Sequence, residues 1–302
     1  MQHCVAGHAF QRSLDPIWRL RATPKVVSGT KKADPAVASG GAKAHSRAMS
    51  RVSLLHHRSA RVVAIVLLIG IGIAALWTAA GFFARDATRL YPADPVAAAR
   101  HPAGGAAVLF SGDLGLRFGM GANTTEGLAA DGIPVLGLNS PTLFRRQQTA
   151  AAAARIVADG VRAGLARTGA TELVLIGQSF GADILQTGLV ALPPALRRHV
   201  AGVVLVVPGD TVFFRADPSG IAYLFAPDSR AAATINRIDW TPLTCIYGVE
   251  ERDSACPLVR VRGARVVGMP GGHFLHNDHA ALVAHEIAAV RSALAARAGG
   301  EP

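Results

Sequence analysis

Residues 173–183, LVLIGQSFGAD, decide the fold. An apolar run typical of a buried strand leads directly into the motif G-x-S-x-G, and a helical pattern follows it to Leu189. The two glycines permit a sharp turn that exposes the hydroxyl of Ser179, and the N-terminus of the next helix favours developing negative charge. The stretch therefore predicts a nucleophilic serine at the carboxyl end of a strand, with the Phe180 N–H as one oxyanion donor.

A nucleophilic serine needs a histidine base, and the base needs a carboxylate that orients it. After a turn of this kind the chain order is serine, acid, histidine. His273 follows an apolar run and lies in the glycine-flanked loop PGGHF. The apolar run before that one leads into GVEERDSACP, where we expect Asp253 to orient the histidine. Glu250 and Glu251 lie in the same loop and are alternative partners.

Short apolar runs alternate with helical stretches through residues 91–298, which we expect to form one domain. The runs expected to form strands are residues 106–110, 133–138, 173–176, 203–207, 243–247 and 266–269. Strands that alternate with helices form a mostly parallel sheet with helices on both faces, so we predict an α/β fold. The carboxyl ends of such strands meet at one edge of the sheet, which brings Ser179, Asp253 and His273 together.

The loop after the first of these strands, SGDLG at residues 111–115, is expected to supply the second oxyanion donor. Its glycines let a backbone N–H point towards the serine, and Asp113 or Leu114 carries that N–H. A phosphate-binding loop is the alternative, because the run GMG follows closely. Position 124 is threonine where a dinucleotide-binding fingerprint requires its third glycine, so we expect no cofactor.

An uncharged apolar stretch, residues 62–83, divides the chain into two parts of different charge. The 302-residue chain has 31 Lys and Arg against 20 Asp and Glu, and residues 1–61 hold eleven of the basic residues but only two of the acidic ones. As a helix the apolar stretch spans about 33 Å, which is enough to cross a membrane. The positive-inside rule keeps the basic leader, which we expect to be disordered, in the cytoplasm and exports residues 91–298.

Two interpretations of the apolar stretch remain open. It is either a retained single-pass anchor in a bacterial inner membrane, with a periplasmic domain, or a signal segment that is cleaved near Ala79 after translation begins at Met49. Both interpretations export the domain. The net charge of +11 suggests a nucleic-acid partner, but the excess lies in the leader, so we expect no nucleic-acid binding.

The cysteines fit an exported domain. Cys245 and Cys256 lie after the apolar stretch, where an oxidising compartment permits a disulfide between them, and two separate buried thiols are the alternative. The third cysteine, Cys4, lies in the leader. Histidines near the C-terminus lack both the H-E-x-x-H spacing and a cysteine partner, so we expect no metal site.

Several segments together carry a family resemblance: IGQSFGADILQTGLVALPPALRRHV, CIYGVEERDSACP, MPGGHF and the SGD loop. They occur in the order found in the bacterial virulence protein VirJ and AcvB family, which the chain resembles over about residues 107–287. The resemblance implies an α/β-hydrolase fold with Ser179 as nucleophile, Asp253 as acid and His273 as base. The chain departs from the family pattern where Gln178 stands in place of a tyrosine and where SGDLGL stands in place of SGDGGW.

The resemblance also implies an activity. It indicates an exported serine hydrolase that removes the aminoacyl group, notably lysine, from aminoacylated phosphatidylglycerol, and some family members are linked to type IV secretion. A membrane lipid is then the substrate, and a secretion-system protein is a candidate partner. Gln178 and Asp183 are candidate substrate contacts on either side of the nucleophile, and a structural role at the helix N-terminus is the alternative for Asp183.

The sequence thus predicts hydrolysis of an ester by a Ser-His-Asp acyl-enzyme mechanism, without metal or cofactor. One alternative is a non-catalytic binding module for a secretion-system or envelope partner, in which these residues are not used. Another is a generic carboxylesterase or peptidase with the same catalytic groups.

Overall fold

A computed structural model of the chain describes residues 61–102 and 104–300. Seven strands form the central sheet: β1 (Thr88–Tyr91), β2 (Ala106–Phe110), β3 (Val135–Leu138), β4 (Leu173–Gln178), β5 (Val200–Val206), β8 (Leu243–Gly248) and β9 (Arg265–Met269). Two shorter strands, β6 (Thr211–Val212) and β7 (Ser229–Arg230), pair with each other. The helices are α1 (Arg61–Ala79), α2 (Pro95–Arg100), α3 (Gly119–Ala130), α4 (Ser140–Leu143), α5 (Ala150–Thr168), α6 (Phe180–Leu189), α7 (Pro194–Arg197) and α8 (His279–Ala298).

The strand order in the central sheet is β1-β3-β2-β4-β5-β8-β9. Every neighbouring pair is parallel except β1 with β3, which is antiparallel. Each of the six strands expected from the apolar runs overlaps one of the parallel strands. The predicted α/β class is therefore confirmed, and β4, which precedes the G-x-S-x-G turn, lies at the middle of the sheet.

Helices cover both faces of the sheet, because the central strands are apolar on both sides. All five residues of β2 are buried, with Val108 and Phe110 in one hydrophobic core and Ala107 and Leu109 in the other. The first core also includes residues of α5 and α6, and the second includes residues of α3 and α8. A strand that is apolar at every position is the expected pattern for a parallel sheet between two helical layers.

Two elements of the domain have no clear sequence pattern. The edge strand β1, TRLY, has two exposed residues among four, so it gives neither a continuous apolar run nor a regular alternation. Helix α3, GMGANTTEGLAA, contains three glycines and starts without a side-chain cap, so its composition is typical of a loop. Tertiary packing against the sheet and α8 stabilises α3 in spite of its low helix propensity.

Helix α1 is the one helix among the described residues that is long and apolar enough to cross a membrane. Its 19 residues span about 28 Å. The chain then turns, and Ala80 and Phe82 are buried against the domain. Residues 1–60, which include almost all of the predicted leader and Cys4, lie outside the described residues.

The structure pairs Cys245, in β8, with Cys256 in a disulfide. The bond closes the loop that carries the three candidate acids, because this loop runs between the two cysteines. Both sulfur-bearing residues are fully buried. The disulfide therefore fixes the far end of the acid-bearing loop to the strand from which it starts.

We expect the double variant Cys245→Ala and Cys256→Ala to lose about 3 kcal/mol of unfolding free energy, because the closed loop restricts the unfolded chain. Urea unfolding measures the loss, and Cys4→Ala is the control that leaves the disulfide in place. An unfolding midpoint that is the same with and without the disulfide would contradict this prediction.

Candidate active site

The turn between β4 and α6 places Ser179 at the carboxyl edge of the sheet in a conformation that few residues adopt. Its φ is 51° and its ψ is −125°, and its N–H donates to the Val206 carbonyl at 2.9 Å. Both flanking glycines are required by close packing. A Cβ at Gly177 would lie 2.6 Å from the Ala182 Cα, and a Cβ at Gly181 would lie 2.1 Å from the Phe110 carbonyl oxygen. The structure therefore has the tight strand-to-helix turn that the sequence predicts.

Ser179, His273 and Glu251 form a connected triad. The Ser179 Oγ lies 2.9 Å from His273 Nε2, and His273 Nδ1 lies 2.5 Å from Glu251 Oε1. The Glu251 side chain is 5% exposed, whereas that of His273 is 38% exposed. A buried carboxylate behind a partly exposed imidazole, with the serine on the other ring nitrogen, is the arrangement that activates a serine hydroxyl.

The carboxylate at the histidine is Glu251 rather than Asp253, so the predicted acid is corrected. Strand β8 ends at Gly248, and the Glu251 N–H donates to the Gly248 carbonyl at 3.0 Å. The resulting turn directs Glu251 towards the loop that carries His273. Asp253 is two residues further on and exposed, and its carbonyl accepts from the Asp210 N–H at 2.7 Å. Glu250, the other alternative, is exposed and lies 3.8 Å from His276.

The loop after β2 lies directly against the serine. A Cβ at Gly112 would lie 3.2 Å from the Ser179 Cβ. The N–H groups of Asp113, Leu114 and Phe180 donate to no acceptor within the part of the chain that the structure describes. Free backbone donors on both sides of a serine are what an oxyanion hole requires, and these are the three residues expected to provide it.

A cavity of about 280 Å³ opens beside Ser179 and His273. Much of its wall is apolar and comes from Leu114, Phe118, Met120, Pro218, Tyr223 and Phe274. Its carboxylates are Asp113 and Asp217, and no Arg or Lys is among the described residues that line it. The cavity is therefore suited to a substrate with an apolar part and a positive charge.

The two carboxylates of the cavity differ in their protonation. Burial raises the pKa of Asp113 to about 7, although its Oδ1 accepts from the Tyr223 hydroxyl at 2.5 Å and from the Asp217 N–H at 3.0 Å. Asp217 is also removed from water, but hydrogen bonds from Ser219 and the Ala222 N–H outweigh this and lower its pKa. Asp217 thus provides a stable negative charge in the cavity wall at neutral pH.

The two residues expected to contact substrate take part mainly in contacts within the protein. Gln178 borders the cavity but is 1% exposed, and its amide nitrogen donates to Thr124. Asp183 accepts from the Gly209 N–H at 2.9 Å, and it is not one of the described residues that line the cavity. Burial raises the pKa of Asp183 well above its ordinary value.

A buried polar network behind the nucleophile was not evident from the sequence. The Gln178 Nε2 donates to Thr124 Oγ1 at 2.6 Å and to Glu286 Oε1 at 3.1 Å, and Thr124 Oγ1 donates to Glu286 Oε2 at 2.7 Å. Glu286 is fully buried in α8. A charged residue on the apolar face of an otherwise amphipathic helix is the one local signal that indicates such a network.

The buried carboxyl predicts a pH dependence of stability. Burial raises the pKa of Glu286 from 4.5 to about 7, so the folded protein holds this proton more tightly than the unfolded chain does. The unfolding free energy should therefore fall as the pH rises from about 4.5 to about 7. Asp113 and Asp183, whose pKa values are also raised, contribute to the same fall.

We expect Glu286→Gln to reduce this fall by about 3 kcal/mol, because glutamine cannot ionise. Urea unfolding at a series of pH values measures it. The matched control is Glu126→Gln, which removes an exposed glutamate from α3 and should leave the pH dependence of the unfolding free energy unchanged. A pH dependence of the unfolding free energy that is equal in wild type and Glu286→Gln would contradict this prediction, because it would show that folding does not raise the pKa of Glu286.

The fold of the domain is that of solved α/β hydrolases. It matches Est1E from Butyrivibrio proteoclasticus with a TM-score of 0.51 and 11% identity, over 69% of this chain and 94% of that chain. The ferulic acid-bound form of Est1E matches with a TM-score of 0.51 and 12% identity, over 69% and 95% of the two chains. At these identities the likeness concerns the fold alone.

The sequence comparisons give the family. No curated protein matches the chain. The model of the family described as bacterial virulence protein (VirJ) matches residues 105–294, which is more than half of the chain and includes Ser179, Glu251 and His273. The chain is therefore a member of the bacterial virulence protein (VirJ) family, with an α/β-hydrolase fold.

Proposed function

We propose that the chain is a serine hydrolase that cleaves carboxylic esters. The observation that carries this proposal is the hydrogen-bonded series from the Ser179 Oγ through the His273 imidazole to Glu251, with distances of 2.9 and 2.5 Å. Free N–H groups flank the serine, and an apolar cavity opens beside it. Together these groups support acyl transfer at this edge of the sheet.

The reaction proceeds in two half-reactions. The Ser179 Oγ bonds to the ester carbonyl carbon while His273 Nε2 takes the hydroxyl proton, and the oxyanion accepts from the free N–H groups. The bond between the carbonyl carbon and the alcohol oxygen then breaks, and the alcohol leaves with the proton from Nε2. Water attacks the acyl-serine with His273 again as base, which releases the acid and restores the serine hydroxyl. Glu251 holds the imidazole and stabilises its positive charge.

For the substrate, we propose an aminoacyl ester of phosphatidylglycerol, with lysine as the amino acid. The charge of the cavity supports a cationic acyl group, since Asp217 remains ionised and Asp113 titrates near neutral pH. The apolar wall suits the glycerol and acyl parts of a lipid. The family resemblance points to the same substrate class.

We also propose that α1 anchors the hydrolase domain in the membrane that contains this lipid. The helix is long and apolar enough to span it, and its apolar side chains are exposed. The basic leader before α1 supports an orientation with the domain on the periplasmic side.

The experiment is to supply the full chain, in detergent micelles, with lysyl-phosphatidylglycerol, alanyl-phosphatidylglycerol and a short p-nitrophenyl ester. We expect release of lysine at a higher kcat/KM than release of alanine. The variant Asp217→Asn should reduce the preference for lysine, and Ser179→Ala should abolish both reactions. Turnover of the short ester alone would support a generic carboxylesterase, and no turnover of any ester by the folded chain would favour a binding module.

A further inference from the structure

A groove of about 440 Å³ lies where α1 ends and the hydrolase domain begins. Its walls come from the segment between Thr78 and Arg89, from Leu116 and Arg117, and from Asn139. It shares no lining residue with the site cavity. We call it the junction groove.

The end of α1 is fixed to the domain beside the loop that borders the site. Asn139 Nδ2 donates to the Ala80 carbonyl at 3.2 Å, and Thr142 Oγ1 donates to the Gly81 carbonyl at 2.7 Å. A Cβ at Gly115 would lie 2.4 Å from the Ala80 carbonyl oxygen. The segment directly after α1 and the loop after β2 are therefore in direct contact, which holds the end of α1 beside the site.

One loop connects the junction groove with the mouth of the site cavity. Arg117 lines the groove, and the next residue, Phe118, lines the cavity. Phe118 is 47% exposed, and Phe83, on the groove side just after α1, is 58% exposed. The surface that runs from the helix end to the cavity mouth thus combines exposed aromatic rings with exposed arginines.

The charge on this surface is positive. Arg89 and Arg117 line the groove, are exposed, and form no salt bridge with another described residue. Arg85 and Arg167 are exposed nearby, and Arg167 donates to a hydroxyl of the groove wall at 2.6 Å. Asp86 is the one carboxylate among the described lining residues, and hydrogen bonds from the neighbouring threonine lower its pKa.

We propose that the junction groove binds the anionic headgroups of the bilayer that α1 enters, and that Phe83 and Phe118 lie among those headgroups, so that the site cavity opens at the membrane surface. This inference rests on the proposed membrane attachment. Arginines next to a membrane-spanning helix lie at the depth of the lipid phosphates, and each contributes to the attraction for anionic lipid. Aromatic side chains favour the same interfacial depth.

The test places a bimane label at Phe118→Cys in the full chain, with Cys4→Ser to remove the other free thiol. The protein is reconstituted in phosphatidylcholine vesicles that contain phosphatidylglycerol, with bromine on the tails of one lipid or the other. We expect stronger quenching by brominated phosphatidylglycerol than by brominated phosphatidylcholine. The double substitution Arg89→Gln and Arg117→Gln should remove most of that preference, because each arginine contributes a roughly fivefold attraction to anionic lipid.

Two controls use the opposite edge of the sheet, where β9 lies. A label at Val266→Cys, at an exposed position of β9, should not be quenched. The pair Arg262→Gln and Arg265→Gln removes two exposed arginines there and should keep the preference for phosphatidylglycerol. Quenching needs no turnover, so it is independent of whether the chain hydrolyses the proposed substrate.

Three results would overturn the inference. The first is a label at residue 118 that no brominated lipid quenches, and the second is equal quenching by the two lipids in wild type. The third is a preference that survives the loss of both groove arginines. Flotation of the wild-type chain with the vesicles is measured in parallel, and a chain that does not float would overturn both the inference and the proposed membrane attachment.

Discussion

Ser179→Ala is expected to lower kcat for ester hydrolysis by about five orders of magnitude or more, because alanine has no oxygen to form the acyl-enzyme. The hydroxyl lies 2.9 Å from the base and beside free N–H groups, so nothing else at this position is placed to attack a bound ester. Steady-state hydrolysis of a p-nitrophenyl ester by the full chain measures the loss.

The matched control is Ser292→Ala, an exposed serine of α8, which should retain wild-type turnover. Urea unfolding should show Ser179→Ala to be folded, because the backbone that positions residue 179 is held by Gly177, Gly181 and the bond to the Val206 carbonyl. Retention of more than a small percentage of wild-type kcat by a pure, folded Ser179→Ala protein would contradict the assignment of the nucleophile.

Glu251→Gln is expected to lower kcat by about four orders of magnitude. The glutamine amide cannot stabilise the imidazolium, and it favours the wrong tautomer of His273. Asp253→Asn, two residues away in the same loop, should leave kcat close to wild type, because Asp253 is exposed and its side chain makes no hydrogen bond in the described part of the chain. Each variant replaces one carboxylate with the corresponding amide, so the difference between their kcat values shows which carboxylate orients His273.

Comparing kcat and KM adds a second check on Glu251. A group that orients the base should affect kcat with little change in KM, since it touches no part of the substrate. If Asp253→Asn lost activity and Glu251→Gln retained it, the acid would be Asp253 and the loop would adopt another conformation during catalysis.

The central features of the fold could be predicted because their signals are local. The strand, the glycines and the serine of residues 173–183 are adjacent in the sequence, and the geometry of the turn follows from their residue types. His273 is similarly marked by a glycine-flanked loop after a strand. The parallel sheet follows from the alternation of apolar runs with helices.

The identity of the acid could not be predicted in the same way. Glu250, Glu251 and Asp253 lie within four consecutive positions, and all three are chemically able to orient a histidine. Which of the three acids reaches His273 depends on where β8 ends and on the contact of Gly248 with the loop that carries His273. A Cβ at Gly248 would lie 2.2 Å from the Gly272 carbonyl oxygen. That contact joins residues distant in the sequence, so no local pattern reports it.

Other parts of the site depend on contacts of still longer range. The hydrogen bond from Thr124 to Glu286 joins residues 162 positions apart, and that from Tyr223 to Asp113 joins residues 110 positions apart. Thr124 lies on the glycine-rich helix α3, which has low helix propensity and forms through tertiary packing. Such contacts become visible only once the sheet has brought the loops together.

The most direct test of the triad is to map the residue that reacts with a fluorophosphonate. The full chain is labelled and digested, and the modified peptide is identified by mass spectrometry. We expect one adduct, on Ser179, that is absent from Ser179→Ala and forms much more slowly in Glu251→Gln than in Asp253→Asn. A folded wild-type chain that does not react, or an adduct on a different residue, would contradict the claim that Ser179, His273 and Glu251 are the catalytic groups.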